Sequence, residues 1–281
     1  MFLITGAKGQ LGRCFADILN PKQAYFYDSD EMNITNIKSI QKCLIDKNIA
    51  AIINCAAYTN VDKAEDEKEK AYAVNVVGVE NLAKTAEERD IPIIHISTDY
   101  VFGEQYASFL LNEDALVSPL GVYGKTKLYG ENAIKKYAKS YIIIRTSWLY
   151  SEYGHNFLKT VIKLASERQE IKVVSDQIGT PTYAPDLARA IVEILSKLKK
   201  GTKEIYHFSN EGVCSWYDFA YEIVRQRNLN CNVLPIKTSE YPTKARRPFF
   251  SVLDKSKIKK EFNLQIDHWI KGIEKCLKKL S

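Results

Sequence analysis

Short apolar runs alternate with amphipathic stretches through the first half of the chain. Apolar runs separated by helix-like stretches are typical of parallel strands that helices cover on both faces. The predicted strands cover residues 2–5, 24–28, 51–56, 91–97 and 141–146, and the predicted helices cover 10–19, 37–47, 71–89 and 123–139. The pattern predicts an α/β fold with a doubly wound parallel sheet.

After Trp148, turn residues are more frequent, and the predicted strands and helices alternate less regularly. The predicted strands here are 171–174, 205–208 and 233–236, and the predicted helices are 186–198, 216–227 and 268–280. We therefore expect a first domain over residues 1–147 and a smaller, mainly C-terminal α/β region over 148–281. Some of the later segments are expected to return to the first domain.

Three glycines follow the first predicted strand and begin the first predicted helix. Gly6, Gly9 and Gly12 stand three residues apart. In a dinucleotide-binding loop the first glycine permits a tight turn, the second lets backbone approach the pyrophosphate, and the third lets helix pack on strand. Free N–H groups at the helix start, around Gln10 and Leu11, favour an anion. This predicts a Rossmann-type cofactor site, with a purely structural turn as the alternative.

Asp28 stands at the end of the second predicted strand, sixteen residues after Gly12. A carboxylate there accepts hydrogen bonds from the adenosine ribose and repels a 2′-phosphate. The sequence therefore favours NAD(H), while Lys8 leaves NADP(H) open. The alternative is that Asp28 only caps a turn.

Tyr123 and Lys127 are four residues apart in the predicted helix 123–139, so they share one face of it. A neighbouring ammonium stabilises a phenolate and makes tyrosine a usable acid near neutral pH. Thr98 follows the strand 91–97, and ligands bind beyond the carboxyl ends of parallel strands. We therefore expect Tyr123, Lys127 and Thr98 to act on a carbonyl group.

Charge and cysteine content narrow the class of protein. The formal net charge is +6, from 40 basic and 34 acidic residues, which suits an anionic small molecule and does not require a nucleic acid. The six cysteines form no C-x-x-C pair or zinc-like spacing. With no secretory pattern and no apolar run of membrane length, we expect a cytoplasmic protein that is not bound to a membrane.

Several further segments extend these motifs into a pattern that resembles one family. They are residues 54–65, 97–102, 122–127, 145–148, 176–182 and 246–248. Together with the glycine loop they resemble the extended short-chain dehydrogenases, and within these the dTDP-4-dehydrorhamnose reductase family. The resemblance runs from residue 1 to about residue 275. It implies NAD(P)H-dependent reduction of the C4 keto group of a dTDP-linked 4-keto-6-deoxy sugar.

The resemblance also implies roles for individual residues. Tyr123 would be the proton donor, Lys127 its partner, and Thr98 the second hydroxyl on the carbonyl oxygen. The cofactor contacts would come from Gly6, Gly9, Gln10, Leu11, Gly12, Asp28, Asn33, Ile34, Ala56, Ala57, Tyr58, Tyr123 and Lys127. Besides Thr98, the substrate contacts would come from Asp99 and Trp148 at the sugar, and from Asn156 and Arg247 at the diphosphate. A surface ion pair is the alternative for Arg247.

The chain departs from the family pattern at three places. Gly121 stands where the family usually has Asn. Asn33, at the predicted adenine contact, stands where many members have Asp. Some relatives bind magnesium through glutamates at a dimer contact, but residues 13–15 here are Arg-Cys-Phe. We therefore expect no required metal, while a homodimer remains open.

Three other functions use related sequences. A nucleotide-sugar dehydratase needs an acid–base carboxylate after the Thr98-Asp99 pair, where this chain has Tyr100. A reductase or epimerase of another nucleotide-linked keto-sugar keeps the Tyr-x-x-x-Lys pair, and only the C-terminal motifs argue against it. A non-catalytic NADP-binding regulatory subunit, like the methionine adenosyltransferase β subunit, is disfavoured by the intact Thr98, Tyr123 and Lys127.

Overall fold

A parallel sheet of six strands forms the centre of the computed structural model, which describes residues 1–103 and 110–280. Ser281, the last residue of the predicted second region, lies outside the described residues. The sheet strands are β1 (Phe2–Thr5), β2 (Ala24–Tyr27), β3 (Ala51–Asn54), β4 (Ile93–Thr98), β5 (Tyr141–Thr146) and, later in the chain, β10 (Lys203–Phe208). Their order across the sheet is β10-β5-β4-β3-β1-β2.

Helices cover both faces of this sheet. The helices of the first half are α1 (Gln10–Ile18), α2 (Ile37–Cys43), α3 (Lys68–Tyr72), α4 (Val79–Glu88) and α5 (Val122–Tyr137). Neighbouring strand residues point to opposite faces, so Leu3 packs with α2, α4 and α5 while Ile4 packs with α1. Every residue of β4 and β5 is buried, which explains their continuous apolar sequences. The predicted doubly wound α/β fold is confirmed.

The second half adds a smaller α/β region beside the carboxyl edge of β5. Besides β10, the elements after β5 are β6 (Leu149–Tyr150), α6 (Phe157–Glu167), β7 (Glu170–Val174), β8 (Ile178–Gly179), β9 (Thr182–Tyr183), α7 (Ala184–Lys197), β11 (Cys214–Ser215), α8 (Trp216–Gln226), β12 (Asn232–Ile236), α9 (Ser256–Phe262) and α10 (Trp269–Lys279). Of these, α7 and α9 pack in the core of the central sheet. Strands β7 and β12 pair in parallel, and α6, α8 and α10 share a separate apolar core. Strand β10 pairs with β5, and α7 packs against α1. A boundary between residues 147 and 148 stays a prediction.

Three differences from the predicted elements matter for the site. The predicted helix 71–89 begins earlier, at Lys68, and is interrupted by a π-helical segment, Ala73–Gly78, between α3 and α4. The predicted strand 51–56 ends at Asn54, so Cys55 and Ala56 belong to the loop that follows. Helix α6 was not predicted at all.

A buried ion pair joins α5 to the sheet. Glu131 of α5 accepts hydrogen bonds from Arg145 of β5, at 2.9 Å from Nε to Oε1 and 2.8 Å from Nη2 to Oε2. Ser97 of β4 donates its hydroxyl to Glu131 Oε1 at 2.6 Å. Both charged side chains are at most 2% exposed. The guanidinium also lies over the ring of Phe102.

In the part of the chain that the structure describes, no helix has the length and apolar character needed to cross a membrane.

We expect Arg145→Met to lower the free energy of unfolding by about 3–5 kcal/mol, because it leaves the Glu131 carboxylate buried without its cation. Urea unfolding followed by circular dichroism measures this loss. Lys200→Met is the control, since Lys200 pairs with Asp90 at the surface and such pairs contribute about 0–1 kcal/mol. Equal losses in the two variants would contradict a special role for the buried pair.

Candidate active site

Helix α5 carries Tyr123 and Lys127 on the face turned toward the carboxyl end of β4. The helix approaches the chain after β4 very closely at Gly124, where a Cβ atom would lie 2.2 Å from the carbonyl oxygen of Tyr100. Glycine is therefore required for this approach. As a result the ring of Tyr123 packs edge-on against Tyr100, with ring centroids 5.5 Å apart.

The chain turns sharply where β4 ends, and this turn holds two predicted site residues. Thr98 caps the short 3₁₀ segment Asp99–Val101 by accepting the N–H of Tyr100 at 3.2 Å, and it donates to Asp99 Oδ1 at 3.1 Å. Asp99 is buried, and its second oxygen, Oδ2, has no hydrogen-bond partner among the described residues. Burial raises the pKa of Asp99 to about 6.

Burial shifts the pKa of Tyr123 and that of Lys127 in opposite directions. It raises the pKa of Tyr123 to about 12, although a hydrogen bond with the Thr98 hydroxyl lowers it in part. It lowers the pKa of Lys127 from 10.5 to about 8. Lys127 is 2% exposed, and its ammonium donates to the carbonyl oxygen of Ile96 at 2.6 Å. Tyr123 is therefore protonated at neutral pH, while the pKa of Lys127 lies close to neutral pH.

The glycine loop presents an open helix terminus beside these residues. Gly6 has φ +65°, and a Cβ atom there would lie 2.7 Å from the backbone nitrogen of Ala56, so only glycine fits. Gly9 is the N-cap of α1, and none of the described side chains caps this terminus. The N–H groups of Gln10, Leu11 and the next residue therefore lack intrahelical partners. This cradle fits the pyrophosphate of a dinucleotide.

Asp28 follows β2 and faces the glycine loop. Its Oδ2 accepts the backbone N–H of Lys8 at 2.8 Å, and its Oδ1 accepts that of Ser29 at 2.7 Å. Burial alone would raise the pKa of Asp28, but these hydrogen bonds lower it, so the side chain is a carboxylate. The Lys8 ammonium pairs with Asp30 at 2.6 Å.

The loop after β3 brings Ala56, Ala57 and Tyr58 to the same edge of the sheet. Asn75 anchors this loop, because its Oδ1 accepts the N–H of Tyr58 at 2.8 Å and its Nδ2 donates to the carbonyl oxygen of Tyr58 at 3.1 Å. Asn75 also donates to Thr126 of α5 at 3.1 Å. It lies in the π-helical segment, a feature that is frequent at functional sites.

The sequence analysis missed Asn75. The available signal was an amide in the otherwise apolar run Val74-Asn75-Val76-Val77.

Asn33 and Ile34 lie on the far side of this loop. Asn33 is exposed, and its Oδ1 accepts both the N–H and the hydroxyl of Thr35, so its side chain closes a turn. Ile34 is buried against Gly78 of the π-helical segment. A role for either residue at the adenosine stays a prediction.

Trp148 lies just past the carboxyl end of β5 in an unusual backbone conformation. Its φ is +47°, a left-handed conformation that is rare for a bulky residue and costs free energy. The indole stacks on that of Trp216, with centroids 3.6 Å apart and an angle of 11°, and Phe157 packs against Trp216. The stack fixes the Trp148 indole, which we call the aromatic wall, and a contact of this indole with the sugar stays a prediction. The sequence analysis did not find Trp216.

The two residues predicted at the diphosphate have protein partners, and their contact with a diphosphate stays a prediction. Asn156 caps α6 through its Oδ1, and its Nδ2 donates to Gln10 Oε1 at 2.9 Å and to the carbonyl oxygen of Ser151 at 2.8 Å. Arg247 forms a two-point ion pair with Asp62, with 2.7 Å between Nη2 and Oδ2. The alternative given above for Arg247, an ion pair, is the arrangement found. The side-chain amide of Asn156 has no donor left over for a phosphate.

Comparison with known proteins assigns this chain to a family. The family model described as "RmlD substrate binding domain" matches residues 1–281. The chain belongs to this family. A dTDP-4-dehydrorhamnose reductase of Aggregatibacter actinomycetemcomitans is 43% identical, over 97% of this chain and 96% of the relative. The spore coat polysaccharide biosynthesis protein SpsK of Bacillus subtilis is 39% identical, over 99% and 97%.

One solved structure is similar to this chain over nearly its whole length. The crystal structure of dTDP-4-dehydrorhamnose reductase from Bacillus anthracis in complex with NADP superposes with a TM-score of 0.93 at 39% identity, and the match covers 99% of this chain and 98% of that one. This family membership agrees with the resemblance drawn from the motifs.

We expect Lys127→Met to raise the free energy of unfolding by about 1–3 kcal/mol near pH 7 while activity is lost. The folded-state pKa of Lys127 lies below 10.5, so burying the ammonium destabilises the fold below about pH 8. The difference in free energy of unfolding between the variant and wild type then decreases as the pH rises from 8 toward 10.5, because the buried lysine of the wild type loses its charge. Urea unfolding at several pH values measures it.

The exposed neighbour Lys125 provides the control. Lys125→Met is expected to change stability by less than about 0.5 kcal/mol at any of these pH values. A Lys127→Met variant that is less stable than wild type at pH 7 would contradict the assigned cost of burial.

Proposed function

We propose that this chain is an NAD(P)H-dependent dTDP-4-dehydrorhamnose reductase, which reduces the C4 keto group of dTDP-4-dehydro-L-rhamnose to give dTDP-L-rhamnose for cell-surface polysaccharide. The observation that carries the proposal is the meeting of Thr98, Tyr123 and Lys127 at the edge of the sheet where the glycine loop opens. The names of the relatives at 39–43% identity support the same reaction. An epimerase or a regulatory subunit has no such support.

In this mechanism the substrate carbonyl oxygen accepts hydrogen bonds from Thr98 and Tyr123. When bound, the reduced nicotinamide supplies the hydride that C4 accepts. Tyr123 gives its proton to the oxygen as the alkoxide develops, and the Lys127 ammonium stabilises the phenolate that remains. Lys127 would also hydrogen-bond the cofactor ribose. Because Lys127 must carry its proton, activity declines as the pH rises above about 8.

The substrate sugar lies between the turn after β4 and the aromatic wall. Asp99 and Trp148 contact the sugar, and the Trp148 indole offers a flat apolar face to the ring. With Asn156 and Arg247 held by protein partners, the diphosphate relies on other groups or on rearrangement of these pairs. The cofactor contacts are those named from the sequence, including Asp28, the glycine loop and the 56–58 loop.

The reductase assignment is tested by following oxidation of NADH and of NADPH with enzymatically made dTDP-4-dehydro-L-rhamnose. Tyr123→Phe removes only the acidic hydroxyl, and we expect kcat to fall by about 100-fold or more. Tyr221→Phe, at an exposed tyrosine of α8, is expected to match wild type within about twofold. No turnover by a wild-type protein that binds the cofactor would reject the rhamnose assignment.

We propose that NADH is preferred and that NADPH is also used. The Asp28 carboxylate accepts a backbone N–H of the glycine loop, where it would also accept hydrogen bonds from the adenosine ribose, and the nearby Lys8 ammonium pairs with Asp30. The NADP complex of the Bacillus anthracis relative supports the second half of this proposal.

We expect Asp28→Asn to raise the ratio of kcat/KM for NADPH over NADH by about tenfold, because it removes the charge that repels a 2′-phosphate. The amide oxygen can still accept the Lys8 N–H, so the loop keeps its shape. Asp28→Ala, which also removes that acceptor, serves for comparison. If only Asp28→Ala changed the ratio, loop geometry rather than charge would be responsible.

We also propose a cytoplasmic enzyme that acts as a homodimer. All six cysteines, which lie in the described part of the chain, are free thiols, as a reducing compartment requires. Tyr72, Val77 and Tyr129 form an exposed apolar stripe across α3, the π-helical segment and α5, beside a groove of about 460 Å³. A two-fold axis pairs such a stripe with its own copy.

A further inference from the structure

A chain of buried polar side chains runs across three neighbouring strands and ends at Lys127. Thr5 of β1 donates its hydroxyl to Asn54 Oδ1 of β3 at 2.7 Å. Asn54 Nδ2 lies 2.9 Å from His95 Nδ1 of β4, and His95 Nε2 lies 3.5 Å from Lys127 Nζ. All four side chains are at most 2% exposed. The mechanism above uses only the last of them.

The backbone fixes the direction of these hydrogen bonds. The N–H of Ala56 points at Asn54 Oδ1, 3.1 Å away, and a backbone N–H can only donate. The oxygen of the Asn54 amide must therefore face Ala56 and Thr5, which leaves the NH₂ group to donate to His95 Nδ1. A neutral imidazole that accepts at Nδ1 carries its proton on Nε2. His95 therefore presents an N–H, not a lone pair, to Lys127.

The Nε2–H group of His95 favours the neutral amine of Lys127 over the ammonium. The neutral amine of Lys127 has a lone pair that can accept from His95 Nε2, while the ammonium has only donors to offer. Burial and the Lys127 ammonium hold the pKa of His95 well below 6.5, so the imidazole stays neutral near pH 7. The carbonyl oxygen of Ile96 accepts one Lys127 N–H in either form.

We propose that His95 is a positioning residue for Lys127: its Nε2–H stabilises the neutral amine and thereby allows Lys127 to return a proton to Tyr123 after each turnover. This inference rests on the proposed reductase function. In the reaction Tyr123 loses its O–H proton to the alkoxide. The Lys127 N–H bond then breaks, the phenolate oxygen takes that proton, and the amine accepts from His95 until a proton from water restores the ammonium.

The other groups around Lys127 do not supply this role. Glu131, one turn further along α5, is bound by Arg145 and Ser97. Cys55, after β3, has its pKa raised by burial, so it faces Lys127 as a neutral thiol. Tyr123 itself is the proton acceptor. Only His95 offers Lys127 a donor of fixed direction among these neighbours.

The first test is the tautomer of His95 in the free protein. Nitrogen-15 NMR of histidine side chains distinguishes Nε2–H from Nδ1–H, and the chain has only four histidines. We expect His95 to be neutral and protonated on Nε2 throughout the neutral range. Protonation on Nδ1 would overturn the proposal without the need for any variant.

The second test reverses the direction of the network. In Asn54→Asp the carboxylate can accept from Ala56, Thr5 and His95 together, so His95 is expected to move its proton to Nδ1 and offer Nε2 to the ammonium. The Lys127 pKa is then expected to rise by about one unit, measured by carbon-13 NMR of lysine side chains with Lys127→Met for assignment. At pH 7, kcat is expected to fall by about tenfold.

Thr5→Val provides the matched control, since it removes one partner of Asn54 but leaves Ala56 to fix the amide. We expect it to leave both the tautomer and the Lys127 pKa as in wild type. If the Lys127 pKa rose in Asn54→Asp while His95 kept its proton on Nε2, the new carboxylate charge alone would explain the rise. That result would reject the proposed role of His95. Both titrations use the free protein, so they decide the matter even if the proposed sugar is not a substrate.

Discussion

The rest of the site depends on the buried pair of Glu131 and Arg145. Lys127 stands one turn before Glu131 on α5 and Tyr123 two turns before it, so all three share one face of the helix. Once Arg145 of β5 and Ser97 of β4 bind Glu131, the helix can neither rotate nor slide along the sheet. A buried ion pair contributes little net stability when compared with an apolar contact, but it tolerates few alternative arrangements. Here the ion pair therefore fixes the positions of Tyr123 and Lys127 relative to the sheet.

Most of the fold could be predicted because its determinants are local. The apolar runs of β4 and β5, the glycine loop before α1 and the spacing of Tyr123 and Lys127 each depend on residues close together in sequence. The π-helical segment escaped prediction because it keeps the apolar period of an α-helix and differs by one residue in its hydrogen bonding. Helix α6 escaped because its N-cap, Asn156, was interpreted as a donor to the diphosphate and not as the start of a helix.

The partners of polar side chains were less accessible to sequence analysis. Arg247 and Asp62 are 185 residues apart, and no local pattern connects them. Asn156 has the residue type of a phosphate donor and equally that of a helix cap, and the structure uses it as a cap that also holds Gln10. The stack of Trp148 on Trp216 likewise joins two segments that only the folded chain brings together. Residue type and position relative to a strand end predicted that Tyr123 and Lys127 lie together near the end of β4, but not which partners hold the surrounding polar groups.

Gln10 connects the two halves of the molecule, because it belongs to the first half and hydrogen-bonds residues of the second. It opens α1, at the terminus that fits a pyrophosphate, and its amide oxygen accepts from Asn156 and from the Ser151 hydroxyl in the second half. Its own Nε2 reaches the carbonyl oxygen of Leu149. For evolution this means that positions 10 and 156 are not independent. A change at position 10 removes one hydrogen-bond partner of Asn156, and a change at position 156 removes one partner of Gln10, so the residues tolerated in the glycine loop depend on those in the second half of the chain.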